Sequence, residues 1–320
     1  MGKINKEKIK TWFVTGASSG IGHEITRQLL ERGYNVVAVA RRTPEFISPN
    51  CLCLSCDVTK PDMIKNAVQN GIQKFGKIDV LVNNAGMLTS ATIENETLEH
   101  MKEVFEVNFF GIFNTMNILI PHFRENNNGT IINNTSKSGI VPRRFGAAYC
   151  SSKHAIEGLT GVCYRECAKF LRVMAFELGW FPESGIKSIQ KISIENLPDV
   201  YKGLRDIDLP IKYKFENNLN VAVNLILNEA ERSQPPRRFI LGYDAIIYAK
   251  SELKLFFKDF KHSVKFGSSC TKVFKRNFSV QFLNDYLKYL KYKIFKNFAI
   301  GKTRQRYKDK QIKYKRKLNF

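Results

Sequence analysis

The chain has 320 residues, 43% of them apolar and 25% charged, which is the composition of a globular protein with a core of ordinary size. Its formal net charge is +22, but residues 261–320 hold 18 Lys and Arg against two acidic residues, so residues 1–260 hold only 33 basic and 27 acidic ones. An excess of basic residues in one segment indicates which partners that segment could bind, and it does not indicate the fold. We therefore predict a single folded domain, 1–260, followed by a basic C-terminal tail, 261–320, that is partly helical or disordered.

The seven cysteines and the first residues of the chain indicate the cellular compartment of the protein. An odd cysteine count argues against a disulfide framework, and Cys51, Cys53 and Cys56 lack a further ligand at a zinc spacing, so no metal site is expected. The stretch Met1 to Lys10 is polar and basic, unlike a signal peptide. The sequence contains no run of 18 or more apolar residues, so no membrane span is expected. We expect a cytoplasmic protein.

Short apolar runs alternate with helical patterns through the first 180 residues. Most of the runs are rich in Val and Ile and nearly continuous in apolar character, which suits parallel strands covered on both faces. In chain order the predicted elements are strand Thr11–Val14, helix 21–32, strand Tyr34–Ala40, strand Cys51–Cys56, helix 61–75, strand Ile78–Val82, helix 98–126, strand Gly129–Thr135, helix 148–170 and strand Arg172–Glu177. This alternation predicts an α/β fold with a doubly wound parallel sheet.

Residues 181–216 interrupt this pattern, because they combine three prolines with mixed polarity. We predict an irregular segment there. A helix over 218–231, the strand Arg238–Leu241 and a last helix from Asp244 complete the predicted domain.

A glycine-rich loop follows the first strand and opens the first helix. Gly16 allows a tight turn, Gly20 allows the backbone to approach a pyrophosphate, and Gly22 allows the helix to pack on the sheet. Backbone N–H groups at the helix start then face an anion. Glycines at these positions between a strand and a helix predict the dinucleotide site of a Rossmann fold, and an ordinary glycine-rich turn is the alternative.

The residues after the second strand indicate which dinucleotide binds. An acidic residue there binds the ribose 2′-hydroxyl of NAD, whereas an arginine accommodates the 2′-phosphate of NADP. Arg41 and Arg42 occupy this position, and the first acidic residue is Glu45. The sequence favours NADP(H) over NAD(H), and a pair of solvated surface arginines is the alternative.

A tyrosine and a lysine four residues apart lie on one face of a predicted helix, at Tyr149 and Lys153. A neighbouring ammonium stabilises a phenolate and lowers the pKa of the tyrosine toward neutrality, which suits acid–base catalysis. Ser136 lies at the carboxyl end of a predicted strand, where ligands bind in open α/β sheets. The Tyr/Lys pair alone is weak evidence, and surface helix residues are the alternative for it.

Together with further motifs, these residues make the sequence similar to the short-chain dehydrogenase/reductase superfamily. The resemblance covers residues 10–180 strongly and 217–258 more loosely, and it implies an NADP(H)-dependent oxidoreductase that interconverts a carbonyl and a secondary alcohol by hydride transfer. The motifs that carry it are Thr15 to Gly22, Asp57-Val58, Asn83-Asn84-Ala85-Gly86, Asn108 with Gly111, Ser136 with Gly139, and Tyr149 with Lys153.

The resemblance implies a role for each matched residue. Tyr149 is expected to be the general acid in reduction and the base in oxidation, and Lys153 to lower its pKa and hold the nicotinamide ribose. Ser136 is expected to hydrogen-bond the substrate oxygen, and Asn108 to hold a water in a proton relay that reaches Lys153. The other implied cofactor residues are Ser18, Ser19 and Ile21 in the phosphate loop, Asp57 and Val58 beside the adenine, and Asn83, Ala85 and Gly86 along the ribose and nicotinamide.

One residue departs from the family pattern. Family members usually have Pro-Gly after the strand that follows the Tyr/Lys helix, and here Leu178 precedes Gly179. Leu178 restores an N–H and removes a fixed φ, so the loop that covers the nicotinamide is expected to be set differently. The segment 181–216 is expected to form much of the substrate pocket.

Two other functions remain as alternatives at this point. One is a catalytically weak nucleotide-binding scaffold or sensor on the same fold, which Leu178 and the tail motivate. The other is an attachment protein whose tail contacts an anionic membrane surface or a nucleic acid, although a solvated, disordered tail is the favoured explanation of the charge. In this family the helix around Phe109 and the Tyr/Lys helix often form a dimer interface, so the resemblance also implies a homo-oligomer.

Overall fold

The computed structural model describes residues 10–182, 190–191, 199–202 and 217–267, with isolated positions beyond them. The chain divides into two compact units, Met1–Lys250 and Ser251–Phe320. The strands are β1 (Thr11–Thr15), β2 (Asn35–Ala40), β3 (Cys51–Ser55), β4 (Val80–Asn83), β5 (Thr89–Ser90), β6 (Thr130–Asn134), β7 (Arg172–Leu178), β8 (Gln190–Lys191) and β9 (Arg238–Leu241). The helices are α1 (Gly20–Glu31), α2 (Pro61–Phe75), α3 (Leu98–Phe105), α4 (Gly111–Glu125), α5 (Ala147–Glu166), α6 (Asp199–Lys202), α7 (Leu219–Ala230) and α8 (Tyr243–Gly267).

Seven of the described strands form one parallel sheet in the order β3-β2-β1-β4-β6-β7-β9. The chain enters at the centre, builds outward to β3, and returns across β1 to build the other half. The order therefore reverses between β1 and β4, and ligands of open α/β sheets bind beyond the carboxyl ends of strands at such a point. The predicted doubly wound fold is confirmed.

Strand residues alternate between two buried layers because neighbouring side chains point to opposite faces of a sheet. Trp12 and Val36 pack in the layer that contains α1 and α7. Phe13 and Val37 pack in the layer that contains α2, α4 and α5. Helices therefore cover both faces, which explains why the strands are apolar almost without interruption.

The predicted helix over 98–126 is interrupted in the structure by a π-helical turn, Glu106–Phe110, between α3 and α4. Such single π turns are frequent at functional sites, and this one carries Asn108. The whole stretch Leu98–Glu125 is long and apolar enough to cross a membrane by length and composition alone. Its residues Leu119 and Phe123 are fully buried against the sheet, so it serves as a core helix of this fold.

Most of the irregular segment 181–216 lies outside the described residues, as does most of the predicted tail. Within the segment, β8 pairs in parallel with β5 to form a second, two-stranded sheet. In the second compact unit, α8 residues Leu255 and Phe256 are exposed. The predicted boundary at residue 260 stays a prediction.

Candidate active site

The glycine-rich loop between β1 and α1 has a backbone that only glycine adopts without strain. Gly16 has φ +67° and Gly20 has φ +55°. A Cβ on Gly16 would lie 2.9 Å from Ala85 Cα, and one on Gly22 would lie 2.3 Å from the Gly16 carbonyl oxygen. The loop, the start of α1 and the residues after β4 therefore approach one another closely, and larger side chains at Gly16 and Gly22 would prevent this.

The start of α1 is suited to an anion. Its N-cap, Ser19, makes no side-chain capping bond, and its first turn contains no acidic residue. The first backbone N–H groups of a helix lack partners within the helix and carry a partial positive charge. With the glycine backbone around it, this helix start fits the pyrophosphate of a dinucleotide.

Asn84, which the sequence interpretation gave no role, ties this loop to the end of β4. Its backbone N–H and that of Ala85 donate to Thr15 Oγ1, at 2.9 and 3.0 Å. Its side-chain Nδ2 donates to the Thr15 carbonyl oxygen at 3.1 Å, and its Oδ1 accepts from Asn134 Nδ2 at 3.0 Å. The phosphate loop, β4 and β6 are thereby held together at the switch point.

Asn83 has a different environment from the cofactor-lining role predicted for it. Its side chain is buried, where Nδ2 donates to Asn133 Oδ1 at 2.9 Å and Oδ1 accepts from Thr115 Oγ1 at 2.6 Å. The amide therefore belongs to a polar network inside the core, and only the backbone of Asn83 is left to face a cofactor. Gly86, two residues beyond Asn84, lies at the catalytic end of the same loop.

The residues predicted to surround the adenosine half lie at the ends of β2 and β3. Arg41 and Arg42 are exposed, and Arg42 Nη2 donates to the Ser18 carbonyl oxygen at 3.2 Å. Asp57 Oδ1 accepts from the backbone and the hydroxyl of Thr59, both at 2.9 Å. Val58 is buried beneath this turn. Arg42 thus contacts the phosphate loop, and the cofactor contact predicted for Arg41 stays a prediction.

Ser136 and Tyr149 meet beyond the end of β6. Ser136 has φ +71° and ψ 156°, a conformation that is strained for a residue with a side chain. Its hydroxyl lies near enough to the phenol of Tyr149 to act on the pKa of that group. Burial raises the pKa of Tyr149, while the Ser136 hydroxyl and the charge of Arg143 act in the opposite direction. The Ser136 hydroxyl therefore lies beside the Tyr149 phenol, and the roles predicted for the two residues stay predictions.

Lys153 lies one turn further along α5 and is buried. Its Nζ donates to the Asn134 carbonyl oxygen at 2.7 Å and lies 5.7 Å from the centre of the Tyr149 ring. Burial lowers the pKa of Lys153 to about 8, and the nearby Glu157 carboxylate opposes that shift. Its ammonium is close enough to stabilise a phenolate on Tyr149.

Asn108 joins the π turn to α5 and to the loop after β4. Its Oδ1 accepts from the Met87 N–H at 2.8 Å, and its Nδ2 donates to the Met87 carbonyl at 3.0 Å and to Ser152 Oγ at 3.1 Å. A Cβ on Gly86 would lie 3.1 Å from Asn108 Oδ1 and 3.8 Å from Lys153 Nζ. The predicted relay partners are thus neighbours, and the relay itself stays a prediction.

The loop after β7 is anchored by Asp244, which sequence reasoning missed. Leu178 is the last residue of β7 and is buried. Trp180 N–H and Lys137 Nζ both donate to Asp244 Oδ2 at 2.9 Å. No local motif identifies Asp244, because its partners come from distant parts of the chain.

Comparison with known proteins decides the family. The short chain dehydrogenase family model matches residues 10–188. This chain belongs to the short-chain dehydrogenase family. It is 31% identical over 251 residues to a 3-ketodihydrosphingosine reductase of Bacteroides thetaiotaomicron, covering 75% of this chain and 91% of that protein. It is 27% identical over 259 residues to the oxidoreductase BOA17 of Botryotinia fuckeliana, with the same coverage of 75% and 91%.

A solved structure supports the same assignment. A short-chain dehydrogenase from Streptomyces avermitilis matches with a TM-score of 0.74 and 26% identity, covering 82% of this chain and 99% of that one. The chain is therefore an oxidoreductase of this family. The individual roles of its site residues remain predictions.

Proposed function

We propose that this protein is an NADP(H)-dependent oxidoreductase that interconverts a small-molecule carbonyl compound and a secondary alcohol. The observation that carries the proposal is the convergence of Ser136, Tyr149 and Lys153 at one end of the sheet, beside a loop that fits a dinucleotide. The scaffold alternative does not require these three groups to meet. One relative is named as a ketone reductase, which supports reduction as the direction.

The proposed chemistry divides among the chain's own residues. Ser136 orients the substrate oxygen, and Tyr149 donates a proton to that oxygen during reduction or removes one during oxidation. Lys153 stabilises the phenolate, and the Asn134 carbonyl fixes its ammonium in place. Asn108 holds a water molecule, and this water connects the Lys153 ammonium to solvent in a proton relay. The bound nicotinamide supplies or accepts the hydride.

The preference for NADP(H) rests on the two arginines after β2. Both are exposed at the carboxyl edge of the sheet, and Arg42 lies against the phosphate loop. Guanidinium groups bind phosphate through paired, charge-assisted hydrogen bonds. A 2′-phosphate is therefore the expected ligand of this pair.

Titration of the full chain with NADPH and NADH, followed by fluorescence, tests the cofactor. We expect NADPH to bind more tightly, and Arg41→Asp and Arg42→Asp each to weaken NADPH binding by about tenfold or more with little effect on NADH. Arg124→Asp, an exposed arginine on α4, is the matched control. Equal binding of both cofactors by the unaltered protein would contradict the preference.

A carbonyl panel with NADPH then tests turnover. Tyr149→Phe is expected to lower the rate by about 10²- to 10⁴-fold without weakening cofactor binding. If NADPH binds and no carbonyl compound is reduced, the scaffold alternative replaces the enzyme.

The proposal extends to the cellular location of the protein and to its binding partners. We infer a cytoplasmic homo-oligomer, in which α4 and α5 are the elements whose exposed residues, Phe113 and Val162 among them, suit a contact between copies. We also infer that the basic tail draws the protein to anionic surfaces, either membranes or nucleic acids.

A further inference from the structure

Arg143 is held in a fixed position on the loop that connects Ser136 to Tyr149. Its backbone N–H donates to Cys150 Sγ at 3.4 Å. A Cβ on Gly146 would lie 2.9 Å from Arg143 Cγ, so the side chain passes over a position that only glycine leaves open. The backbone bond holds this part of the loop, and Gly146 leaves the space that the Arg143 side chain occupies.

The guanidinium is tethered at its far end as well. Arg143 Nη1 donates to Ser90 Oγ at 3.0 Å, and Nη2 donates to the Thr89 carbonyl oxygen at 2.5 Å. The same two chain segments are joined by a backbone bond of 2.9 Å from Ala91 N–H to the Phe145 carbonyl. Nη1 also donates to the Arg144 carbonyl oxygen at 3.4 Å. A guanidinium has five N–H donors, so two of them remain for a ligand.

This tethered cation faces the catalytic phenol. The Arg143 guanidinium carbon lies 5.7 Å from the centre of the Tyr149 ring, the same distance as Lys153 Nζ. Arg143 is half-buried, so part of its side chain is open to solvent.

The charge of Arg143 is not neutralised by the part of the chain that the structure describes. Lys137 pairs with Asp244 at 2.9 Å, and Arg238 pairs with Glu157 at 2.7 Å. Arg143 has no carboxylate within ion-pair distance among the described residues, and its guanidinium donates to one hydroxyl and two carbonyl oxygens. A half-buried cation that is held without a counter-charge attracts an anionic group.

We propose that Arg143 binds an anionic group of the substrate, a carboxylate or a phosphate, while Tyr149 and Ser136 hold its carbonyl. The proposal rests on the proposed function and names the substrate class of that same site, a carbonyl compound with an acidic group. Arginine suits this role because its planar donors match the oxygens of either anion. A cationic carbonyl compound is disfavoured, because its charge would be repelled by the Arg143 guanidinium.

Matched substrates test the proposal with the full chain and NADPH. Straight-chain keto acids with increasing separation between ketone and carboxylate are each compared with their methyl esters, and the phosphate ester of a hydroxyketone is compared with the free hydroxyketone. Wild-type protein should prefer one anionic series. Arg143→Gln should lower kcat/KM for that series by about 10- to 100-fold and change the neutral partners less than about threefold.

Two variants serve as controls. Arg143→Lys keeps the charge and should restore part of the loss, whereas Arg144→Gln removes an exposed charge next to it and should leave the preference intact. Equal loss for acid and ester overturns the proposal. If that equal loss comes with a rise in the pKa of the pH profile, Arg143 acts through Tyr149 instead.

Direct binding separates this proposal from the proposed function. Calorimetric titration of the preferred keto acid into the NADPH-saturated protein measures the Arg143 contact without turnover. Binding that Arg143→Gln abolishes supports the anion site even where no carbonyl is reduced. No binding of any anionic compound overturns it, even where neutral ketones are reduced.

Discussion

Glu177 carries a buried carboxyl group on β7 beside a second carboxyl group, that of Glu157 on α5. Arg238 Nε lies 2.7 Å from Glu157 Oε2 and 3.8 Å from Glu177 Oε1, so one guanidinium serves two acids. Burial raises the pKa of Glu177 to about 9, the charge of Glu157 adds to the rise, and Arg238 opposes it. Glu177 is therefore protonated at neutral pH.

This protonation makes stability depend on pH. The folded state keeps a proton that the unfolded chain releases above its ordinary pKa near 4.5, so the free energy of unfolding falls as pH rises from there to about 9. Glu177→Gln removes the titrating group and should abolish that slope. Relative to the variant, wild type should lose about 1 kcal/mol of unfolding free energy per pH unit between about pH 5.5 and 8.

Urea unfolding at several pH values measures this difference. Glu103→Gln, on an exposed face of α3, is the control and should keep the wild-type slope. Parallel slopes for wild type and Glu177→Gln would mean that Glu177 is ionised in the folded protein.

At the scale of elements, Asp244 joins the loop after β7 to the turn after β6. Its carboxylate accepts from Trp180 N–H and Lys137 Nζ, and from Asn217 Nδ2 at 3.0 Å. Burial acts to raise the pKa of Asp244, but these hydrogen bonds hold it below its ordinary value. A Cβ on Gly179 would lie 2.0 Å from Asp244 Oδ1, so this glycine is required for the contact.

Asp244→Ala should lower the free energy of unfolding by about 2–4 kcal/mol, because it leaves a partly buried ammonium and a backbone N–H without their acceptor. Asp244→Asn keeps an oxygen for Trp180 and should cost less. The loop normally covers the nicotinamide in this family, so NADPH affinity should fall in the same order. Asp62→Ala is the control, because Asp62 is an exposed acid in the first turn of α2. Unchanged NADPH affinity in Asp244→Ala would show that the Asp244 contacts do not influence cofactor binding.

The sequence predicted the features whose signals are local. Gly16 and Gly20 stand out because only glycine adopts their φ, and Tyr149 with Lys153 stands out because four residues make one helical turn. Strands were predicted within a few residues because nearly continuous apolar runs mark buried parallel strands.

Contacts between distant segments were outside the reach of that reasoning. Arg143 meets Ser90, and Asp244 meets Lys137, only because the sheet brings their loops together. The π turn at Asn108 was missed because one extra residue leaves the helical apolar pattern nearly unchanged. Local motifs therefore identified the family, and the folded arrangement was needed to identify which residues position the site.

At the scale of the whole molecule, the charge is divided unevenly, with 18 of 51 Lys and Arg in residues 261–320. Clustered cations bind polyanions by releasing counterions, so affinity falls steeply with salt. We expect the full chain to bind anionic vesicles or nucleic acid at low salt. Replacing four cations by Gln should weaken that binding and leave NADPH affinity unchanged. The four positions are Lys302, Arg304, Arg306 and Lys308.

Co-sedimentation with phosphatidylserine vesicles and gel shift with duplex and single-stranded nucleic acid distinguish the two polyanions. Equal substitutions at exposed cations of the first unit control for net charge alone. A basic amphipathic segment should hold vesicles at salt concentrations that release nucleic acid, because buried apolar side chains are not screened. Absence of binding to either polyanion at low salt would mean that the tail is a solvated extension, and the catalytic domain would then account for the protein's function by itself. The control positions are Lys65, Lys102, Arg124 and Lys169.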